Sequence, residues 1–212
     1  FRAITVGSIT LKNRIQFSPI VSRHADPYTG TSTNDLVEFL GAQARSGAGL
    51  VTIGSSPVDF DRARDFYGCL SVVRESDVAS LSVLAEEVHR YGAKLSVELT
   101  HAGAVSDPAL LQGPAFAPSV IPGIHNPSTT KEIDRTEMDE VKQHWVDCVR
   151  RVTTRSGKNS SSGLSGRETK PNRSSRTTLA SVRTSLTVPV GFSSATSSIP
   201  LIRSAVIVIA SS

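Results

Sequence analysis

Residues 94–103 read KLSVELTHAG: a short run of Leu95, Val97 and Leu99, broken by a histidine and stopped by glycine. As a strand this segment is compact, and its character comes from what precedes it. Val78, Leu81, Leu84, Ala85 and Val88 recur at helical spacing over residues 77–91, and Gly92 stands where a helix C-cap would be. Further back, residues 50–53 (LVTI) form another compact strand between glycines, and Leu36, Val37, Leu40 and Ala44 mark a helix over residues 34–45 that ends before Gly47. Residues 15–19 (IQFSP) are a brief strand closed by proline. Residues 4–6 and 9–11 flank Gly7-Ser8 as a hairpin. Downstream, a Pro-rich loop over 113–127 leads to a helix carrying Val141, Trp145, Val146 and Val149, with Thr136 and Asp139 in a capping-box pattern.

The order is hairpin, then β-α three times. Apolar strands without alternation indicate a parallel sheet covered by helices. A doubly wound sheet and a (β/α)8 barrel both fit that order. The hairpin, able to plug a barrel bottom, and long loops after the strands favour the barrel.

Composition divides the chain near Arg151. Residues 1–151 carry a net charge of −3, and residues 152–212 a net +7 with a single acid, Glu168. That tail holds 16 Ser, 8 Thr and one aromatic, Phe192. Such a segment buries too little apolar surface to offset the entropy of ordering. The reading is therefore a domain over 1–151 followed by an irregular tail over 152–212. Val206–Ala210 (VIVIA) is β-prone and reads as an aggregation hazard rather than a strand with a partner. The tail's charge could attract phosphates, but it lacks interleaved aromatics and any recognisable module, so nucleic acid is not the expected partner.

Cys69 and Cys148 are the only cysteines, with no disulfide framework or zinc spacing, which suits a cytoplasmic location. No signal peptide opens the chain and no long apolar run could span a bilayer, so no membrane partner is expected. The first residue is Phe rather than Met, and a few leading residues are expected to be missing. His24, His89, His125 and His144 have no partner at metal spacing, and no metal site is expected. Cys148, near Trp145, reads as core, and Cys69 as an ordinary loop cysteine.

Several segments in register resemble the Old Yellow Enzyme family, especially its NADH:flavin oxidoreductase and 2,4-dienoyl-CoA reductase-like branch. They are residues 6–15 (VGSITLKNRI), Ser18-Pro19-Ile20, residues 47–51 (GAGLV), residues 97–103 (VELTHAG), residues 117–122 (APSVIP) and the helix start at 134–138. The resemblance covers residues 1–151. It implies the first three βα units of a (β/α)8 (TIM) barrel with FMN at the C-terminal strand ends, NAD(P)H as hydride donor, and a small-molecule substrate such as an activated alkene or enoyl thioester. It places Ser18, Pro19, Ile20, Val21, Gly54, Ser55 and Glu98 at the flavin.

Those residue types suit the task. Pro19 fixes backbone beside the ring, and Gly54-Ser55 leaves room for it. Without the resemblance, Pro19 would merely stop a strand and Gly54 start a turn. Glu98 departs from the glutamine usual in the family: an ionised carboxylate can accept from the flavin N3–H but cannot donate to its O2. It should then oppose reduction of the ring to an anion unless a cation compensates. His101 is expected to hold a structural hydrogen bond rather than a catalytic role.

After Arg151 the family's substrate-binding histidine pair, its FMN-binding arginine and its phosphate site do not follow, nor does the cysteine cluster of a 4Fe–4S centre. The catalytic residues are thus unassigned. Three βα units cannot close a barrel and would leave an open edge. A frame shift near 152 would account for the break. Shifted by one base, residues 176–180 can encode a family-like Thr-Asp-Asp-Phe-Gly. The alternative to a truncated flavoenzyme is a poorly folded, non-catalytic fragment that binds no flavin.

Overall fold

The computed structural model describes residues 1–122, 130–153 and 204–209, the last as backbone only. His125 and the frame test at 176–180 lie outside the described residues. The N-terminal hairpin pairs β1 (Ile4–Val6) with β2 (Ile9–Leu11) antiparallel, Thr5 opposite Thr10, and turns on Gly7 at φ +61°. Three parallel strands follow: β3 (Gln16–Phe17), β4 (Leu50–Pro57) and β5 (Lys94–Thr100). They are connected through α1 (Asn34–Arg45) and α2 (Asp77–Arg90). This is the expected α/β order of a partial barrel.

Thr33 starts α1, its hydroxyl accepting from the Leu36 amide at 3.2 Å, which satisfies one of the helix's free first-turn donors. Leu36, Leu40 and Ala44 of α1 and Leu81, Leu84 and Val88 of α2 bury their apolar stripes against Val51, Ile53, Leu95, Val97 and Leu99 of the sheet. Successive strand residues point to opposite faces. The other face is polar: Gln16 Nε2 donates to Thr52 Oγ1 at 2.9 Å, and Thr52 and Ser96 hydroxyls bond at 2.6 Å. The strands are thus two-faced rather than uniformly apolar, and a hydrogen-bonded row crosses all three.

Strand β4 runs past Ile53 to Pro57, with a register shift between Ile53 and Ser56. The charge-rich segment after it is packed, not loose: Val58, Phe60, Ala63, Cys69, Leu70 and Val72 are buried. Asp77 anchors its end, accepting from Ser71 Oγ at 2.6 Å, the Arg74 amide at 3.0 Å and Arg74 Nε at 3.1 Å.

Two short strands pair parallel, β6 (Phe116–Ala117) within the expected Pro-rich loop and β7 (Lys131–Glu132) just after it. The last helix, α3 (Arg135–Thr153), starts two residues earlier than the Thr136 and Asp139 pattern suggests. Asp134 Oδ1 accepts from the Glu137 amide at 2.9 Å, and Glu137 Oε2 accepts from the Asp134 amide at 3.2 Å. That reciprocal pair is the capping box. The buried face of α3 is Cys148 and Val152, with Trp145 and Val149 packed beside them, whereas Val146 is exposed.

The tail needs one correction. Residues 204–209 form β8 (Ser204–Ile209), which pairs antiparallel with β5 from Leu95 opposite Ile209 to Thr100 opposite Ser204. The sheet order is β3-β4-β5-β8. The β-prone run therefore has a partner. The unpaired N–H and C=O groups of an edge strand are the physical reason it finds one.

Candidate flavin site

Parallel strands bring their C-terminal ends to one side of the sheet, where α/β folds place their chemistry. Val21 forms a parallel bridge with Gly54 just beyond β3. A Cβ added at Gly54 would lie 2.3 Å from Glu98 Oε2 and 2.8 Å from Pro19 Cβ. Residues of β4 and β5 and the segment just after β3 thus converge on Gly54, where an added side chain would have to displace Glu98 or Pro19. Pro19, Val21, Gly54 and Glu98 come together in this way, while Ser18 and Ile20 are exposed.

Ser55 is turned elsewhere. Its hydroxyl donates to Asp65 Oδ1 at 3.2 Å and lies 3.8 Å from Cys69 Sγ. It ties β4 to the loop behind it. Asp65 is the site residue that sequence reasoning missed. It lies ten positions after Ser55, beyond the end of β4, and no periodicity brings the two together. Cys69 donates to the Phe66 carbonyl at 3.2 Å, and burial pushes its thiol up to about 11. It is a packed thiol, not a nucleophile. Cys148 is pushed up to about 11 by burial as well.

Glu98 is only half-buried, yet burial first, and then the neighbouring Asp65 charge, holds its carboxyl above the usual glutamate range. Among the described residues it makes no hydrogen bond or ion pair. His101 is buried, its Nδ1 accepting from the Gly103 amide at 3.2 Å, and burial holds its pKa below the ordinary value while Asp59 opposes the shift. The structural hydrogen bond expected of it is there. Asp59 also accepts from the Asp61 and Arg62 amides and stands 3.5 Å from His144 Nδ1. No group of three or more metal-ligating side chains occurs among the described residues. No helix among them is long and apolar enough to cross a membrane.

The cradle over Gly54, and a half-buried carboxyl with unused hydrogen-bonding capacity, fit the flat polar edge of a flavin.

Residues 1–158 match the model of the NADH:flavin oxidoreductase / NADH oxidase family. The chain belongs to that family. Its relatives include an NADH oxidase of Thermoanaerobacter brockii, 29% identical over 148 residues, covering 69% of this chain and 23% of that protein. An NADPH dehydrogenase of Geobacillus sp. is 29% identical over 152 residues, covering 72% of this chain and 44% of the relative. Among solved structures, Old Yellow Enzyme from Pichia sp. superposes with a TM-score of 0.64 at 21% identity, over 71% of this chain and 42% of the other. Morphinone reductase gives 0.63 at 20% identity, over 71% and 45%. These structures establish the fold as part of a TIM barrel. The chain spans less than half the length of these relatives.

Proposed function

We propose that this chain is the flavin-ring-binding portion of an FMN-dependent oxidoreductase that passes hydride from NAD(P)H through flavin to an activated alkene or enoyl thioester. The observation that carries this reading is the convergence of Pro19, Gly54 and Glu98 at the ends of three parallel strands in a chain of this family. FMN, when bound, supplies the hydride carrier. The chain's own residues hold its edge: Pro19 and Val21 present fixed backbone, Gly54 gives clearance, and Glu98 offers the hydrogen-bonding group. Ser18 and Ile20 border the ring, and Ser55 positions the Gly54 step through Asp65. The partner is a small molecule rather than nucleic acid or membrane. Two buried, unpaired cysteines accord with a cytoplasmic setting.

Titrating the protein with FMN, followed by quenching of flavin fluorescence, tests the reading. Saturable binding by the wild type is expected. Gly54→Ala should weaken it by on the order of tenfold, the equivalent of about 1.4 kcal/mol, because the new methyl displaces Glu98. Absence of binding would instead support a non-catalytic fragment. One observation favours that second reading: β8 occupies the edge of β5 antiparallel, where a barrel continues with a parallel strand.

A further inference from the structure

Two carboxyl groups reach the same peptide step from different elements. Glu98, on β5, lays Oε2 against Gly54. Asp65, in the loop after β4, takes the hydroxyl of the next residue, Ser55, at 3.2 Å. Among the described residues no cation offsets the charge of Glu98, whose shift has only burial and Asp65 as causes. Pro19 and Gly54 are uncharged, and Cys69 is a neutral thiol. Arg64, next to Asp65 in sequence, commits Nη2 to the Leu110 carbonyl at 2.7 Å and lies 4.1 Å over the Phe60 ring. Like charges at one site cannot both ionise freely, and Asp65 has the Ser55 hydroxyl to stabilise its charge whereas Glu98 has no hydrogen bond among the described residues.

We propose that Glu98 meets its ligand as a neutral carboxylic acid, donating an O–H to an acceptor on the flavin edge, so that the site binds the ring while Glu98 is protonated and releases it on ionisation. This rests on the flavin reading above. It reverses the expectation of an ionised carboxylate able only to accept. The direction of the Glu98 shift, upward through burial and Asp65, agrees with it. A protonated carboxyl matches an amide in offering one donor and one acceptor on a flat end group.

Two measurements test the proposal. Infrared spectra of the ligand-free wild type should show a carboxylic-acid carbonyl band that persists above the ordinary glutamate range, disappears as pH rises, and is missing from Glu98→Gln. Riboflavin, which lacks a phosphate whose own titration would interfere, then serves as the binding probe. Its affinity for the wild type should fall with rising pH by up to about tenfold per unit beyond the Glu98 pKa, whereas Glu98→Gln should bind with a flat profile. Absence of the band in the wild type overturns the proposal whether or not flavin binds. A band accompanied by the same riboflavin profile in both proteins overturns the donor role. A band with no riboflavin binding at any pH overturns the flavin reading, and the donor role falls with it. The wild-type band does not depend on the variant folding.

Discussion

His101 carries a pH dependence whose sign follows from its surroundings. Burial holds its folded pKa below 6.5, so folding favours the neutral ring. Its contribution to stability is present above the unfolded value and is lost as pH falls through the folded one. Between the two values the slope is at most about 1.4 kcal/mol per pH unit. Glu98 acts in the opposite sense: its raised pKa makes folding take up a proton, and that contribution fades as pH rises. Urea unfolding of wild type and His101→Gln at pH 7.5 and 5.5 separates them. The wild type should lose more stability than the variant on acidification, and equal losses would show that the buried ring does not set the slope. At this scale it was the family resemblance that singled out Pro19, Gly54 and Glu98; their residue chemistry alone reads as a strand stop, a turn and a strand carboxylate. Asp65 was not legible, since the path of a nineteen-residue segment between β4 and α2 decides where its side chain arrives.

Among the elements, the helices could be read most directly. Apolar residues at three- and four-residue intervals over residues 34–45, with Gly47 just past them, mark α1, and the structure adds the Thr33 cap at its start. The start of α3 could not be read that way, because both Asp134 with Glu137 and Thr136 with Asp139 satisfy the same spacing rule. The structure selects the first through a pair of reciprocal bonds, and Glu137 also receives the Lys131 ammonium of β7. Replacing Asp134 by alanine should cost about 1 kcal/mol, while Thr136→Ala should leave the midpoint of thermal unfolding nearly unchanged. Circular dichroism melts distinguish the two, and a larger shift for Thr136 would relocate the cap. The two-stranded β6-β7 pair escaped detection for another reason. Two residues are too few to show a period, and their pairing depends on chain that closes only in three dimensions.

For the molecule as a whole, the architecture of three βα units was legible and the fate of the open edge was not. Hydrophobic patterning reports which face of a strand is covered but says nothing about which strand lies beside it. β8 supplies that neighbour over six residues. Proline lacks the amide proton a ladder needs, and neighbouring positions of an antiparallel strand alternate between bonded and unbonded sites. Ile207→Pro with Val208→Pro therefore breaks the pairing whichever of the two donates. Size-exclusion chromatography with light scattering should show the double variant shifting toward oligomers as β5 is bared. A monodisperse profile equal to wild type would mean the edge is harmless when open.

The polarity of β8 has a consequence for reconstitution. β5 is engaged on both sides, in parallel by β4 and in antiparallel by β8, so the seat next to it is filled in the wrong direction for a barrel to continue. A separately supplied C-terminal half cannot simply add to this sheet. It must compete for the seat, and its docking is gated by how fast β8 lets go.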